Sequence, residues 1–175
     1  MLKIENFTDH KSSAKIVEHV RALIKFVPKE HLRGIERLRL VDSIADARLK
    51  SVTPSKLPGL YHPRQGTQTA WLEIAVETLL PSHASFYKRL LPRLSLKDNI
   101  AAVLFSLIGQ HYYFTLKHSV KKSQIEILVR SYTEKHLKLR NEREKKLRAR
   151  LFKPLQPTLE RWARQLQKRT VNAPK

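Results

Sequence analysis

Residues 101–118 read AAVLFSLIGQHYYFTLKH, an almost wholly apolar run interrupted by Gly109, Gln110 and His111. A helix that is apolar on nearly every face belongs at the centre of a domain, where other elements cover it all round. We therefore place this helix at the core, and its three interruptions need a reason. A glycine inside a helix costs about 1 kcal/mol relative to alanine. We expect it to be kept for a close neighbour, a sheet packed against the helix at Gly109. Gln110 and His111 either face a ligand cleft or make hydrogen bonds within the core, since buried polar groups need partners.

The flanking sequence supplies what would cover that helix. Residues 13–26, SAKIVEHVRALIKF, repeat apolar positions at Ile16, Val20, Leu23 and Ile24 with helical spacing, with Ser12 or Ser13 as the cap and Pro28 as the stop. GIERLRLVDS alternates Ile35, Leu38 and Leu40 with polar residues, as a half-buried strand does. LPGLYHPRQGTQTAWLEIAVETLL reads as two strands around a turn at Gly66, with Trp71, Leu72, Ile74, Val76 and Leu79 as the apolar positions of the second. HASFYKRLLPRLS reads as a short helix ended near Pro92, and the central helix restarts at Ser95. A further helix is capped by Ser123 and carries a stripe of Ile125, Leu128, Val129, Tyr132 and Leu139. Pro154 and Pro157 end it, and TLERWARQLQKR forms a last amphipathic helix. This order gives an α+β fold: a small antiparallel-type sheet packed on a central buried helix, followed by long basic C-terminal helices. The expected division is an α+β domain over residues 1–136 and a basic helical extension over 137–175.

Composition limits the function. The 175 residues include no cysteine, which excludes disulfides and thiolate-bound zinc and fits a reducing compartment. No leader is read in the first residues, and no apolar run is long enough to span a bilayer, so we expect a cytoplasmic protein. The formal charge is +20. Residues 1–116 hold 17 basic and 10 acidic residues, whereas 117–175 hold 18 and 5. A field concentrated in this way attracts polyanions.

The central stretch SLIGQHYY, with EILVRSY on the next helix, resembles the small zincin-type metallopeptidases. Their central helix carries His-Glu-x-x-His, often continued by a further histidine, and their next helix supplies a glutamate in Glu-x-x-Ala-x-x-Tyr. On that pattern Ser106 stands at the first histidine, Leu107 at the glutamate and Gln110 at the second histidine. Ile108, Gly109 and His111 match, Glu126 falls on the third-ligand position, and Val129 and Tyr132 take the last two places. Two histidines at i and i+4 share one helix face and hold one zinc ion, and the glutamate between them activates a zinc-bound water. Ser106, Leu107 and Gln110 supply neither imidazole nor base, and His111 lies about 100° further round the helix. The resemblance thus implies a metallopeptidase-like pseudoenzyme with no cofactor and no metal, whose former site comprises Ser106, Leu107, Gln110, His111 and Glu126.

Residues 138–150, KLRNEREKKLRAR, hold seven basic and two acidic residues. Glu142 with Lys146 and Glu144 with Arg148 are i, i+4 pairs of an exposed helix. Lys138, Arg140, Arg143, Lys145, Lys146, Arg148 and Arg150 form the candidate polyanion-binding set. The expected partner is nucleic acid, bound without sequence preference, or an acidic protein surface. Two other functions remain open on the sequence. One is an atypical hydrolase using His111 and Glu126, with a loop histidine such as His62 if a metal is held. The other is a structural subunit that buries the Trp162 helix against a partner.

Overall fold

The computed structural model describes residues 2–10, 13–44, 57–80, 86–116 and 122–152; of residues 86–94, 116, 122 and 147–152 the backbone alone is described. It divides into two compact units, residues 1–138 and 139–175. The first unit is an α+β fold. The alternation at Ile35, Leu38 and Leu40 becomes strand β2 (Ile35–Val41), with all three side chains buried. The two strands read around Gly66 form an antiparallel hairpin, β3 (Gly59–His62) and β4 (Ala70–Ala75), in register Gly59 to Ile74 and His62 to Trp71.

The sheet corrects the antiparallel expectation, because only that hairpin is antiparallel. Strand β1 (Lys3–Asn6) was not legible, and it pairs in parallel with β2, which pairs in parallel with β4. The order β1-β2-β4-β3 leaves β3 at one edge. A parallel β1–β2 pair needs a crossover. Helix α1 (Ser13–Ile24) supplies it and buries Ile16, Val20 and Leu23. Strand β4 ends at Ala75 and not near Leu79: Val76–Leu79 form a helical turn, α2, in which Val76 and Leu79 point inward three residues apart.

Helix α3 runs unbroken from Phe86 to His111. The expected break near Pro92 is absent, and no new helix begins at Ser95, whose Oγ accepts from Asn99 Nδ2 at 3.2 Å. A proline removes one backbone hydrogen bond of a helix, and the packing of the downstream turns outweighs that local loss. A π-helical turn, Tyr112–Leu116, follows directly. Helix α4 spans Lys122–Phe152. The last amphipathic helix expected around Trp162, with the tail beyond it, lies outside the described residues.

The core lies on one face of the sheet. Leu38, Leu40, Leu72, Ile74 and Tyr61 meet Ile16, Val20 and Leu23 of α1 and Ile100, Leu104, Phe105 and Ile108 of α3. On the opposite face Trp71 of β4 stands between its neighbours. His62 of β3 stacks on it with ring centroids 3.6 Å apart, and the Arg39 guanidinium of β2 lies 4.7 Å from its centroid. Arg39 also pairs with Glu5 of β1 at 3.1 Å. Among the described residues no helix is long and apolar enough to cross a membrane.

Gly59 sets how closely β3 approaches α3. A Cβ there would lie 2.6 Å from Val103 Cγ1, 3.0 Å from Leu107 Cδ1 and 3.1 Å from the Glu73 carbonyl oxygen. Gly59→Ala is therefore expected to cost about 1–3 kcal/mol, the usual range for overpacking. The loss would be read as a fall in the urea midpoint, and an unchanged midpoint would show that β3 gives way freely.

Candidate functional site

The two faces of α3 serve different purposes. Ala101, Leu104, Phe105, Ile108 and His111 recur at helical spacing and are fully buried. Ala102, Val103, Ser106, Leu107 and Gln110, continued by Phe114 of the π turn, line an open cleft of about 870 Å³. Pro58 and Gly59 at the start of β3 form one wall, and Ile125, Glu126, Val129, Arg130, Thr133 and Glu134 of α4 form the other. Four of the five residues that the resemblance singles out thus meet: Ser106, Leu107 and Gln110 on α3, and Glu126 across from them on α4.

His111 is the one that does not. It sits on the core side, about 100° round the helix from Gln110. Its Nε2 is 2.8 Å from the Arg33 carbonyl oxygen, which only accepts, so Nε2 carries the proton. Nδ1 of the neutral ring then accepts from the Tyr61 hydroxyl at 3.1 Å. Tyr61 in turn accepts from Thr115 Oγ1 at 3.1 Å. Burial pushes the imidazole below the ordinary histidine value, and the hydrogen bond to Arg33 opposes that only in part. This is a satisfied core histidine, one of the two roles the sequence allows it.

Gly109 has a different neighbour from the expected one. A Cβ would lie 3.0 Å from Cδ1 of Tyr132, so the close packing comes from helix α4 and not from the sheet. Tyr132 is buried as part of the hydrophobic core. It belongs to a second cluster with His31 and His136. The Tyr132 hydroxyl meets His31 Nδ1 at 2.8 Å, and His136 Nδ1 donates to the Tyr132 carbonyl at 2.9 Å. Burial lowers both histidines, and for His31 the nearby His136 adds to the effect.

The donor set does not fit zinc. Serine and glutamine are poor zinc ligands beside a single carboxylate. Among the described residues no group of three or more His, Cys, Asp or Glu is placed to hold a metal ion. His62, a conceivable third ligand, lies on the far face of the sheet, stacked on Trp71 and 3.1 Å from Glu73.

The basic set is only partly at the surface. Lys138, Arg143, Lys145 and Lys146 are exposed. Arg140 is buried, with Nε 3.4 Å from Glu144 and a terminal nitrogen donating to Asn141 Oδ1 at 2.8 Å. The side chains of Arg148 and Arg150 lie outside the described residues. Sequence reading missed Gly59 and Phe114 as cleft residues. Phe114 is 50% exposed, and its place seven residues beyond Leu107, on the same helical face, was the available signal. Comparison of the chain with protein-family models, curated proteins and solved structures finds no match.

His111, His31 and His136 all prefer the neutral form in the folded state. Below about pH 6.5 the unfolded chain binds more protons than the folded one, so stability must fall as the solution is acidified. Urea midpoints measured from pH 7.5 to 5 should drop, and His111→Ala should make that drop shallower. At neutral pH the same substitution should cost about 2–4 kcal/mol, because it leaves a cavity and an unpaired Arg33 carbonyl. A flat midpoint across that pH range would contradict the burial of these rings.

Proposed function

We propose that this chain is a zincin-like scaffold that binds peptides without hydrolysing them, a pseudoenzyme of metallopeptidase type. One observation carries the reading. The positions that the resemblance assigns to the zinc ligands and the base gather in one cleft, and there they are Ser106, Leu107, Gln110 and Glu126. With no imidazole pair and no base between two ligands, the residues that bind and activate a zinc-held water are missing, while the cleft persists. Its walls suit an extended, largely apolar chain. Val103, Leu107, Phe114, Ile125 and Val129 offer apolar contact, and β3 is an edge strand able to pair with an added strand. The hydrolase alternative loses support because His111 is buried away from Glu126.

Adding an acetylated and amidated valine-threonine heptapeptide to the isotope-labelled chain is the test. Amide shifts should concentrate in residues 58–62, 102–114 and 125–134, and the peptide should stay intact with and without added zinc. Shifts confined to other regions, or zinc-dependent cleavage, would end this reading.

A second reading concerns the basic residues of α4. Lys138, Arg143, Lys145 and Lys146 are exposed on a chain of charge +20, which favours contact with a polyanion, nucleic acid first. Replacing these four by glutamine should weaken binding to a DNA duplex. The slope of log affinity against log salt should flatten by roughly 0.9 for each phosphate no longer neutralised. Affinity and slope both unchanged would make the stretch a solvated face.

A further inference from the structure

We infer that the cleft selects a cationic side chain, a lysine ammonium carried by an extended peptide, which Glu126, Ser106 and Gln110 receive where a metal would otherwise sit. The inference rests on the reading of the cleft as a peptide site and adds its ligand chemistry. Three observations carry it.

The first is charge. Three ionisable residues line the cleft. Arg130 and Glu134 satisfy one another through Arg130 Nε and Glu134 Oε1 at 3.2 Å. Glu126 has no ion-pair or hydrogen-bond partner among the described residues, so the charges of the residues that line the cleft sum to one negative. This is local, because the chain as a whole is +20. Charges further off than about 8–10 Å are largely screened at physiological salt. A bound group therefore responds to Glu126 more than to the distant lysines and arginines.

The second is the donor set. Ser106 and Gln110 are one turn apart on α3, and Glu126 faces them from α4. Their side chains offer a hydroxyl oxygen, an amide oxygen and a carboxylate, three oxygen acceptors on two walls. An ammonium is a compact cation with three donors, whereas a guanidinium presents a planar fork that prefers one bidentate carboxylate. Three separate acceptors match the ammonium.

The third is the surround. Val103, Leu107, Phe114, Ile125 and Val129 line the same cleft. They would cover the methylene stem of a lysine while its head reaches Glu126. The edge of β3, which among the described residues is paired only with β4, would hold the peptide backbone on either side. A nucleic acid meets the wrong sign of charge here and belongs to the basic part of α4.

Three fluorescein-labelled heptapeptides of alternating valine and threonine test this, identical except for lysine, norleucine or glutamate at the centre. Anisotropy titration of the full chain should show the lysine peptide binding about tenfold more tightly than the other two, the usual effect of one charge-assisted contact. Glu126→Gln should reduce that preference to within about twofold without moving the urea midpoint, since Glu126 is exposed. Ser106→Ala and Gln110→Leu should each remove a smaller part. If all three peptides bind alike, the cation preference is wrong and the peptide cleft stands. If none binds, both fall. Tightest binding of the glutamate peptide overturns the preference. So does a concentration-dependent dimer that Glu126→Gln abolishes, which would assign the cleft to a second copy of the chain.

Discussion

The ring of Tyr132 lies where the side chain of residue 109 would begin, with Cδ1 3.0 Å from the position of a Cβ. That contact sets how near α4 comes to α3, and the cleft between them depends on it. It seats Tyr132 in the core beside Phe105 and the His31–His136 pair. It also turns the next face of α4, with Ile125, Glu126 and Val129, toward the cleft. A larger residue at 109 would press the helices apart, shifting the core and the cleft together. The two cannot be tuned independently, because α3 is the floor of one and the centre of the other.

Much of this was legible in the sequence where periodicity was long enough. The apolar spacing of α1, the alternation of β2 and the hairpin around Gly66 all became the elements they promised. Strand β1 was not legible because its four residues, KIEN, are too few to show alternation, and its strand character comes from pairing with β2. Pro92 misled for the opposite reason: it is a strong local signal overruled by the helix around it. At the cleft, the i, i+4 relation puts Ser106 and Gln110 on one face, and the 100° step puts His111, which the resemblance groups with them, on the core side. Arg140 is buried although the run of charge around it suggests solvent on every side. Yet Val129, Tyr132, His136 and Arg140 recur at intervals of three and four, and all four are buried.

Charge is distributed unevenly over short distances. The net field is strongly positive, yet among the described residues the cleft carries one carboxylate without an ion-pair partner, and on the outer sheet face Arg39, one of two arginines over Trp71, pairs with Glu5. Net charge therefore describes only the long-range field that a large polyanion would sense. What a pocket accepts is decided within a few ångströms, by side chains that composition does not reveal.

An edge strand is bonded on one side only, and β3 would be loosely held if β4 were its sole attachment. Tyr61 supplies another. Its hydroxyl joins Thr115 to His111, and His111 joins the Arg33 backbone, so β3 is tied through the floor helix to the chain entering β2. A strand docking there, as proposed, would meet an edge whose position is already set. The ordering that docking normally demands of a receptor would then be complete before binding, and a ligand alone would give up conformational freedom on arrival.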